Sequence, residues 1–145
     1  MPVHSVIYKE QRLVITVGEG RLTFDDVNAN QYRLLNDPAF DPEFNQLLDG
    51  TALTAIDITI DNIRQVVRSK LFSPASRRAV VVSSTFIYGM ARMIQTYNEL
   101  SQGSTSVSIF RDRPSALKWL AVGSLPETIR PEGAPSKEDS AKKSA

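Results

Sequence analysis

The chain contains no cysteine and a single histidine, His4. Without cysteine the protein cannot form disulfides, thiolate nucleophiles, zinc–thiolate sites or iron–sulfur clusters. One histidine with no cysteine beside it is too little for a zinc site or a Ser-His-Asp triad. These absences exclude several common kinds of metal and catalytic site before any motif is considered.

The sequence also lacks an excess of either charge and any long apolar run. Lysine and arginine number 17 against 16 aspartates and glutamates, so no basic field is present to hold nucleic acid. No apolar stretch reaches the roughly 20 residues that cross a bilayer. The opening MPVHSVIYKE does not resemble a signal peptide. We therefore expect no nucleic-acid binding, no membrane span and a cytoplasmic location.

The length of 145 residues predicts one domain, which we place at residues 1–123. A chain of this size buries roughly 68–70% of its unfolded surface and needs no covalent staple. Residues 124–145 contain three prolines, and residues 137–144 are nearly all charged or small. This composition predicts a disordered C-terminal tail, because it offers little apolar surface to bury.

The first third of the chain is typical of a β-hairpin followed by a helix. Residues 3–8 and 13–17 are rich in β-formers around a short polar connector, and the glycines at 18 and 20 are expected to end the second strand. Thr23 is a suitable N-cap with acidic residues behind it, and the helix should reach about Asn36. We expect residues 39–44 to form an irregular loop whose phenylalanines pack onto the core.

The rest of the chain alternates between strands and helices. A short strand at residues 46–49 should end at Gly50 and lead through a connector, residues 51–58, to a helix capped by Thr59 or Asp57. Residues 80–82 are three consecutive valines, which is typical of a strand covered on both faces. A helix, a strand at residues 107–110 and a short helix capped by Asp112 and closed by Trp119 follow. The order β-β-α-β-α-β-α-β-α predicts an α/β fold: a mixed sheet with one antiparallel edge strand and about four helices.

Two segments, RRAVVVSSTFIYGMARM and VSIFRDRPSALKWL, resemble the SpoIIAA-like family of small bacterial STAS-type proteins. The opening hairpin and the segments GEGRLTFDD and DPAFDPEFNQLLD resemble the same family, so the likeness runs from about Val3 to Leu120. The resemblance implies a STAS-like fold, shared in outline with lipid-binding CRAL-TRIO domains. Most members of this branch have no assigned function.

The resemblance also indicates where a phospho-acceptor would lie. In anti-sigma-factor antagonists a partner kinase phosphorylates a serine near the start of the helix after the third strand, and the nearest match here is Thr59. The Asp-Ser-Ser-Gly signature of the phosphorylated branch is missing. We interpret Thr59 first as a helix cap, which is the usual role of threonine at a helix start.

The strand–helix junctions suggest an anion or ligand site at one end of the sheet. Ser83, Ser84 and Thr85 follow the buried strand, and Arg111 and Arg113 follow the last strand. Ligands gather outside the carboxyl ends of strands in open α/β sheets, and helix N-termini attract anions. The simpler interpretation is that Ser84 or Thr85 caps the helix and that the arginines are solvated.

Tyr88 and Gly89 lie inside the helix that follows this junction. Tyr88 falls off the apolar stripe, so it should be exposed and could form an adaptable surface with nearby methionines. Glycine in a helix costs roughly 1 kcal/mol relative to alanine. We expect close packing of the helix backbone on a neighbour to explain Gly89, with room for a ligand or a partner helix as the alternative. Asp49 and Asp57 have no obvious partners in the sequence.

These observations support two hypotheses about function. The first is a noncatalytic module that binds a protein partner through the surface around Thr59, Tyr88 and the strand–helix junctions. The second is a carrier of a small apolar or anionic ligand, or of a lipid, with an apolar cavity under the loop at residues 40–44 and a polar mouth at residues 83–85. A homodimer would also fit the apolar helix faces. We expect no enzyme activity and no cofactor, because the sequence has no phosphate loop, dinucleotide fingerprint or nucleophile elbow.

Overall fold

The computed structural model describes residues 3–69, 71–100 and 106–121. The predicted order of elements is confirmed within these ranges. The strands are β1 (Val3–Tyr8), β2 (Leu13–Thr23), β3 (Asn45–Asp57), β4 (Arg77–Val81) and β5 (Ser106–Phe110). The helices are α1 (Phe24–Leu35), α2 (Ile60–Ser69), α3 (Thr85–Leu100) and α4 (Arg113–Trp119).

The five strands form one mixed sheet in the order β1-β2-β3-β4-β5. β1 pairs antiparallel with β2, and every later pair is parallel. This is the α/β arrangement that the sequence predicted, with the hairpin strand at one edge. The hairpin turns through Arg12, whose φ is 52° and whose N–H donates to the Lys9 carbonyl at 3.1 Å.

The second and third strands are longer than expected. The glycines at 18 and 20 do not end β2, which continues to Thr23 with register shifts around them. Gly20 has a φ of 68°, a left-handed conformation that glycine adopts without strain. Gly50 does not end β3 either, because the predicted connector is strand as far as Asp57.

Beyond Asp49, β3 no longer pairs with β4 and runs on beside β2 alone. We call residues 19–23 and 52–57 the β2–β3 ribbon. It extends past the carboxyl end of β4. The helix that follows it, α2, therefore begins away from the carboxyl ends of β4 and β5.

Apolar cores lie on the two faces of the sheet. On one face α4 packs against the strands, and on the other α1 packs together with the loops before β3 and β4. Phe40 meets Phe72 edge-on, with ring centroids 5.3 Å apart, and Phe44 is buried. The predicted packing of this loop onto the core is confirmed. The first core includes Leu13, Ile15, Leu47, Val81, Ala116 and Leu120, and the second Val14, Leu34, Phe44 and Phe72.

A buried chain of hydrogen bonds fixes α1 to the sheet. Gln46 Nε2 donates to Thr16 Oγ1 at 2.8 Å, and the hydroxyls of Thr16 and Ser5 are 2.6 Å apart. Since the single Ser5 proton goes to Asn30 Oδ1 at 2.9 Å, Thr16 donates to Ser5. The chain therefore satisfies polar groups that would be costly to bury alone.

Both helix caps that the sequence predicted most clearly are present. Thr23 Oγ1 accepts from the Asp26 N–H at 3.2 Å while the Asp26 carboxylate accepts from the Thr23 N–H, which completes a capping box. Asp112 accepts from the Ser115 N–H at 2.8 Å. Within the described ranges no helix is long and apolar enough to cross a bilayer. The predicted tail at residues 124–145 lies outside the described residues.

Candidate functional site

The carboxyl ends of β4 and β5 bring Ser83 and Arg111 together. The Val82 N–H donates to the Phe110 carbonyl at 3.0 Å, which holds the two strand ends side by side. Arg111 Nη2 then donates to the Ser83 carbonyl at 3.1 Å, and Ser83 Oγ donates to the Thr51 carbonyl on β3 at 3.1 Å. We call this edge, with Tyr88 and Arg113, the rim.

Tyr88 joins the rim through its ring. The Arg111 guanidinium lies 5.1 Å from the ring centroid, within the range of a cation–π contact. Tyr88 is half-buried rather than exposed as predicted, because this guanidinium covers one face of it. Arg111 is exposed, as the simpler interpretation held, but it also binds the Ser83 carbonyl and the Tyr88 ring.

Arg113 is held by an ion pair that the sequence did not reveal. Its Nε lies 3.0 Å from Asp49 Oδ2, and the two side chains are 29% and 14% exposed. The other oxygen, Asp49 Oδ1, accepts from the N–H and the hydroxyl of Thr51 at 3.0 and 2.7 Å. Arg113 therefore neutralises a carboxylate of the fold, which reduces what it can offer to an anionic ligand.

The two remaining rim residues of the predicted anion site start α3. Ser84 Oγ accepts from the Ile87 N–H at 3.3 Å, and the Ser84 carbonyl accepts from the Tyr88 N–H at 2.8 Å. Ser84 is therefore the helix cap, as the simpler interpretation held. Thr85 is the exposed first residue of α3.

Thr59 caps α2 and lies apart from the rim. Its Oγ1 accepts from the Asn62 N–H, and Asn62 Oδ1 accepts from the Thr59 N–H, both at 3.1 Å. Seven residues of strand lie between Asp49 and Asp57, which sets the two about 26 Å apart at the usual rise of a strand. The surface we expected to combine Thr59 with Tyr88 is thus divided into two places.

One face of α3 is open beside the rim. Thr85, Gly89 and Met93 follow one another at helical spacing of four, all three are exposed, and Met93 is 71% exposed. A Cβ on Gly89 would meet no described atom within 4 Å. Close packing on a described neighbour therefore does not explain this glycine, contrary to expectation, and room for a ligand or a partner helix stays a prediction. We call these three residues the α3 outer face.

An apolar groove lies at the other end of the strands. It has a volume of about 830 Å³ and is lined by residues of α1 and of the loops that precede β3 and β4. Tyr32 and Leu35, on its α1 side, are 70% and 66% exposed. The expected cavity near the loop at residues 40–44 is thus present as a groove that includes Pro42. Ser83 lies at the opposite end of β4, so the cavity and its predicted polar mouth do not form one site.

The rim offers hydrogen bonding and positive charge but little reactive chemistry. Within the part of the chain that the structure describes, no group of three or more His, Asp or Glu side chains is placed to hold a metal ion. The polar side chains of the rim bind one another and the backbone. Such a network orients helices and presents a surface.

Comparison with known proteins identifies the fold. No family model matches the chain, and no curated protein matches it. Among solved structures, it is similar to an uncharacterized protein of the DUF3478 family from Shewanella loihica PV-4, which has a SpoIIAA-like fold. The two share 19% sequence identity with a TM-score of 0.56, over 81% of this chain and 93% of that one. The resemblance seen in the sequence is therefore confirmed as regards the fold.

Proposed function

We propose that this chain is a noncatalytic regulatory module of a bacterial cytoplasm, and that it binds a protein partner through the α3 outer face. The observation that carries the proposal is Gly89. A glycine inside a helix costs roughly 1 kcal/mol relative to alanine, and no described neighbour requires its small size. A partner that approaches the helix backbone closely would explain the residue.

The surroundings of Gly89 support the same conclusion. Met93 is exposed on one side of it, and the stacked pair of Tyr88 and Arg111 lies on the other. Methionine, tyrosine and arginine are enriched in protein interfaces relative to other surfaces. The methionine side chain adapts its shape to a partner, whereas the rim contacts hold the tyrosine and arginine in place before binding.

Photo-crosslinking in the host cell tests this proposal. A photoreactive residue at position 93 should yield an adduct with one protein of defined mass, and Gly89→Gln should abolish it by filling the approach to the helix. Tyr32 is the matched control, since it is 70% exposed on α1, and a crosslinker there should not yield the adduct. A position-93 adduct that survives Gly89→Gln, or no adduct at all, would refute the proposal.

The apolar groove favours a second candidate, a carrier of a small molecule or lipid. Its volume of about 830 Å³ lies within the roughly 300–1,000 Å³ typical of ligand sites. In this alternative the ligand would lie between α1 and the loop containing Phe72, away from the rim. Solvent extraction of the protein from its own host should then release a compound of defined mass, and Leu35→Glu should prevent its retention. Failure to recover such a compound would remove this candidate.

A further inference from the structure

Tyr88 contacts two arginine side chains, Arg92 and Arg111. The Arg111 guanidinium carbon lies 5.1 Å from the centroid of the tyrosine ring. Arg92, one helical turn further along α3, places Nη1 3.5 Å from the tyrosine hydroxyl oxygen. Both arginines are exposed, and the ion pairs formed among the described residues include neither of them. We call Arg92 and Arg111 the arginine pair.

The acidic side chains near the arginine pair are engaged within the fold. The Asp49 carboxylate is bound by Arg113 at 3.0 Å. Asp112 accepts from the Ser115 N–H at 2.8 Å and from the Ser115 hydroxyl at 3.1 Å. Residues 85–96 of α3 contain no acidic residue. The charge that this surface leaves open to a partner is therefore positive.

We propose that the protein partner presents an acidic segment, whose aspartate or glutamate side chains bind the arginine pair. This inference rests on the proposed function, because it names the chemistry of the partner that meets the α3 outer face. On α3, Gly89 adjoins Tyr88 and lies three residues before Arg92. A partner chain that reaches the helix backbone at this glycine therefore passes beside the arginine pair.

The arginine pair has open hydrogen-bond donors for such a segment. A guanidinium carries five N–H donors. Within the described ranges, Arg111 uses one of them on the Ser83 carbonyl at 3.1 Å, and the bond from Arg92 to the tyrosine hydroxyl is long at 3.5 Å. One guanidinium lies over the ring and the other at the hydroxyl, so they present two separate forks. Each fork matches one carboxylate in a bidentate pair.

These observations favour a protein segment over a nucleic acid. Two arginines are few for a site that follows a phosphate backbone, which needs a positively charged groove. The Arg111 guanidinium also covers one face of the Tyr88 ring, which reduces the aromatic surface on which a base could stack. Carboxylates of a protein therefore fit this surface better than a phosphate backbone does.

Photo-crosslinking from position 93 in the host cell tests the chemistry of the partner. Arg92→Glu and Arg111→Glu should each lower the yield of the adduct by about fivefold or more, whereas Arg92→Lys keeps the charge and most of the yield. The control is Arg77→Glu, at the amino end of β4. Arg77 is also exposed, and it likewise stacks on an aromatic ring, 5.3 Å from the Trp119 centroid. This charge reversal should leave the yield unchanged.

The segment crosslinked from position 93 shows the charge of the partner. Peptide mapping of the adduct should find aspartates or glutamates on either side of the crosslinked residue. A partner segment without acidic residues, or equal yields in Arg92→Glu and Arg77→Glu, would overturn this inference while the proposed function stands. An adduct that fails to form in lysate treated with phosphatase or nuclease would also overturn it, since the occupant would then be a phosphate group or a nucleic acid. With no adduct in the wild type, both proposals fail.

A second readout keeps the test decisive if Arg111→Glu fails to fold by circular dichroism. Arg92→Glu then carries the test, because the long bond from Arg92 to Tyr88 contributes little to stability. The adduct yield of the wild type in lysate should fall as sodium chloride is raised, and that of Arg92→Glu should change less. An equal salt response in the two proteins would contradict the proposed carboxylate contacts.

Discussion

Arg113 and Asp49 lie 64 residues apart in the chain, yet Arg113 Nε is 3.0 Å from Asp49 Oδ2. Asp49 is in the middle of β3 and Arg113 is the first residue of α4. The pair therefore ties the last helix to the centre of the sheet at the rim, beside the surface that we propose for the partner.

Removing the Asp49 carboxylate should lower the free energy of unfolding more than removing an exposed carboxylate does. Asp49→Ala leaves Arg113 unpaired in a partly buried place, and we expect the free energy of unfolding to fall by about 1–3 kcal/mol. The control is Asp57→Ala. Arg21, the partner of Asp57, is 66% exposed, so loss of this ion pair should lower the free energy of unfolding by less than about 1 kcal/mol. Urea denaturation measures both, and equal losses would contradict a structural role for the Arg113 pair.

Two glycines should respond to alanine in opposite directions. Gly89→Ala should raise the free energy of unfolding by about 0.5–1 kcal/mol, because the added methyl meets no described atom and alanine favours the helix. Gly50→Ala should lower it, since a Cβ there would lie 2.9 Å from Leu53 Cδ1 and 3.4 Å from the Val81 carbonyl oxygen. Thermal melts compare them, and a destabilised Gly89→Ala would mean that packing requires the glycine.

Thr59 should act as the N-cap of α2, and aspartate should be able to replace it in this role. Thr59→Ala should destabilise the protein by about 1 kcal/mol through loss of the bond from the Asn62 N–H. Thr59→Asp keeps an acceptor there and adds a charge that the helix dipole favours, so its stability should match the wild type. Chemical denaturation distinguishes these results. A Thr59→Asp protein as unstable as Thr59→Ala would show that position 59 does not tolerate the charge a phosphate brings.

Arg78 should limit the stability of the fold. Burial lowers the pKa of its guanidinium to about 10, and its buried Nε has no hydrogen-bond partner among the described residues. The guanidinium carbon lies 4.9 Å from the Phe72 ring centroid. Because burial depresses the pKa in the folded state, keeping the guanidinium charged lowers the free energy of unfolding at neutral pH. This loss decreases only above about pH 10. We expect Arg78→Met to be as stable as the wild type or more stable by about 1 kcal/mol at pH 7. A clear loss would show that stacking on Phe72 outweighs desolvation.

Local signals were sufficient for the order of elements. The β-formers of β1, the capping residues Thr23 and Asp112, and the valines of β4 each act within a few residues, and the elements predicted from them are confirmed. The lengths of β2 and β3 were not predicted, because a glycine in a strand marks either the end of the strand or a β-bulge. Gly20, with φ of 68°, lies beside a register shift whose extra residue, Thr54, is on β3, and pairing between distant strands decides where a strand ends.

The candidate site could be predicted in part. Position along the chain was enough to place Ser83 and Arg111 at one rim, since strand ends of a parallel sheet meet there. The partnership of Asp49 with Arg113 was not visible, because it depends on the register of β3 against β4. The apolar groove was predicted only at the loop of residues 40–44, because its other walls, on α1 and on the loop before β4, are brought together by the fold.

Native mass spectrometry of the protein purified from its own host distinguishes the interaction module from the carrier. We predict a complex with a partner protein that dissociates in the Gly89→Gln variant, while the protein released from it carries no small molecule. A wild-type spectrum in which the chain retains a small compound of defined mass, and in which Gly89→Gln changes nothing, would contradict the interaction module and favour the carrier.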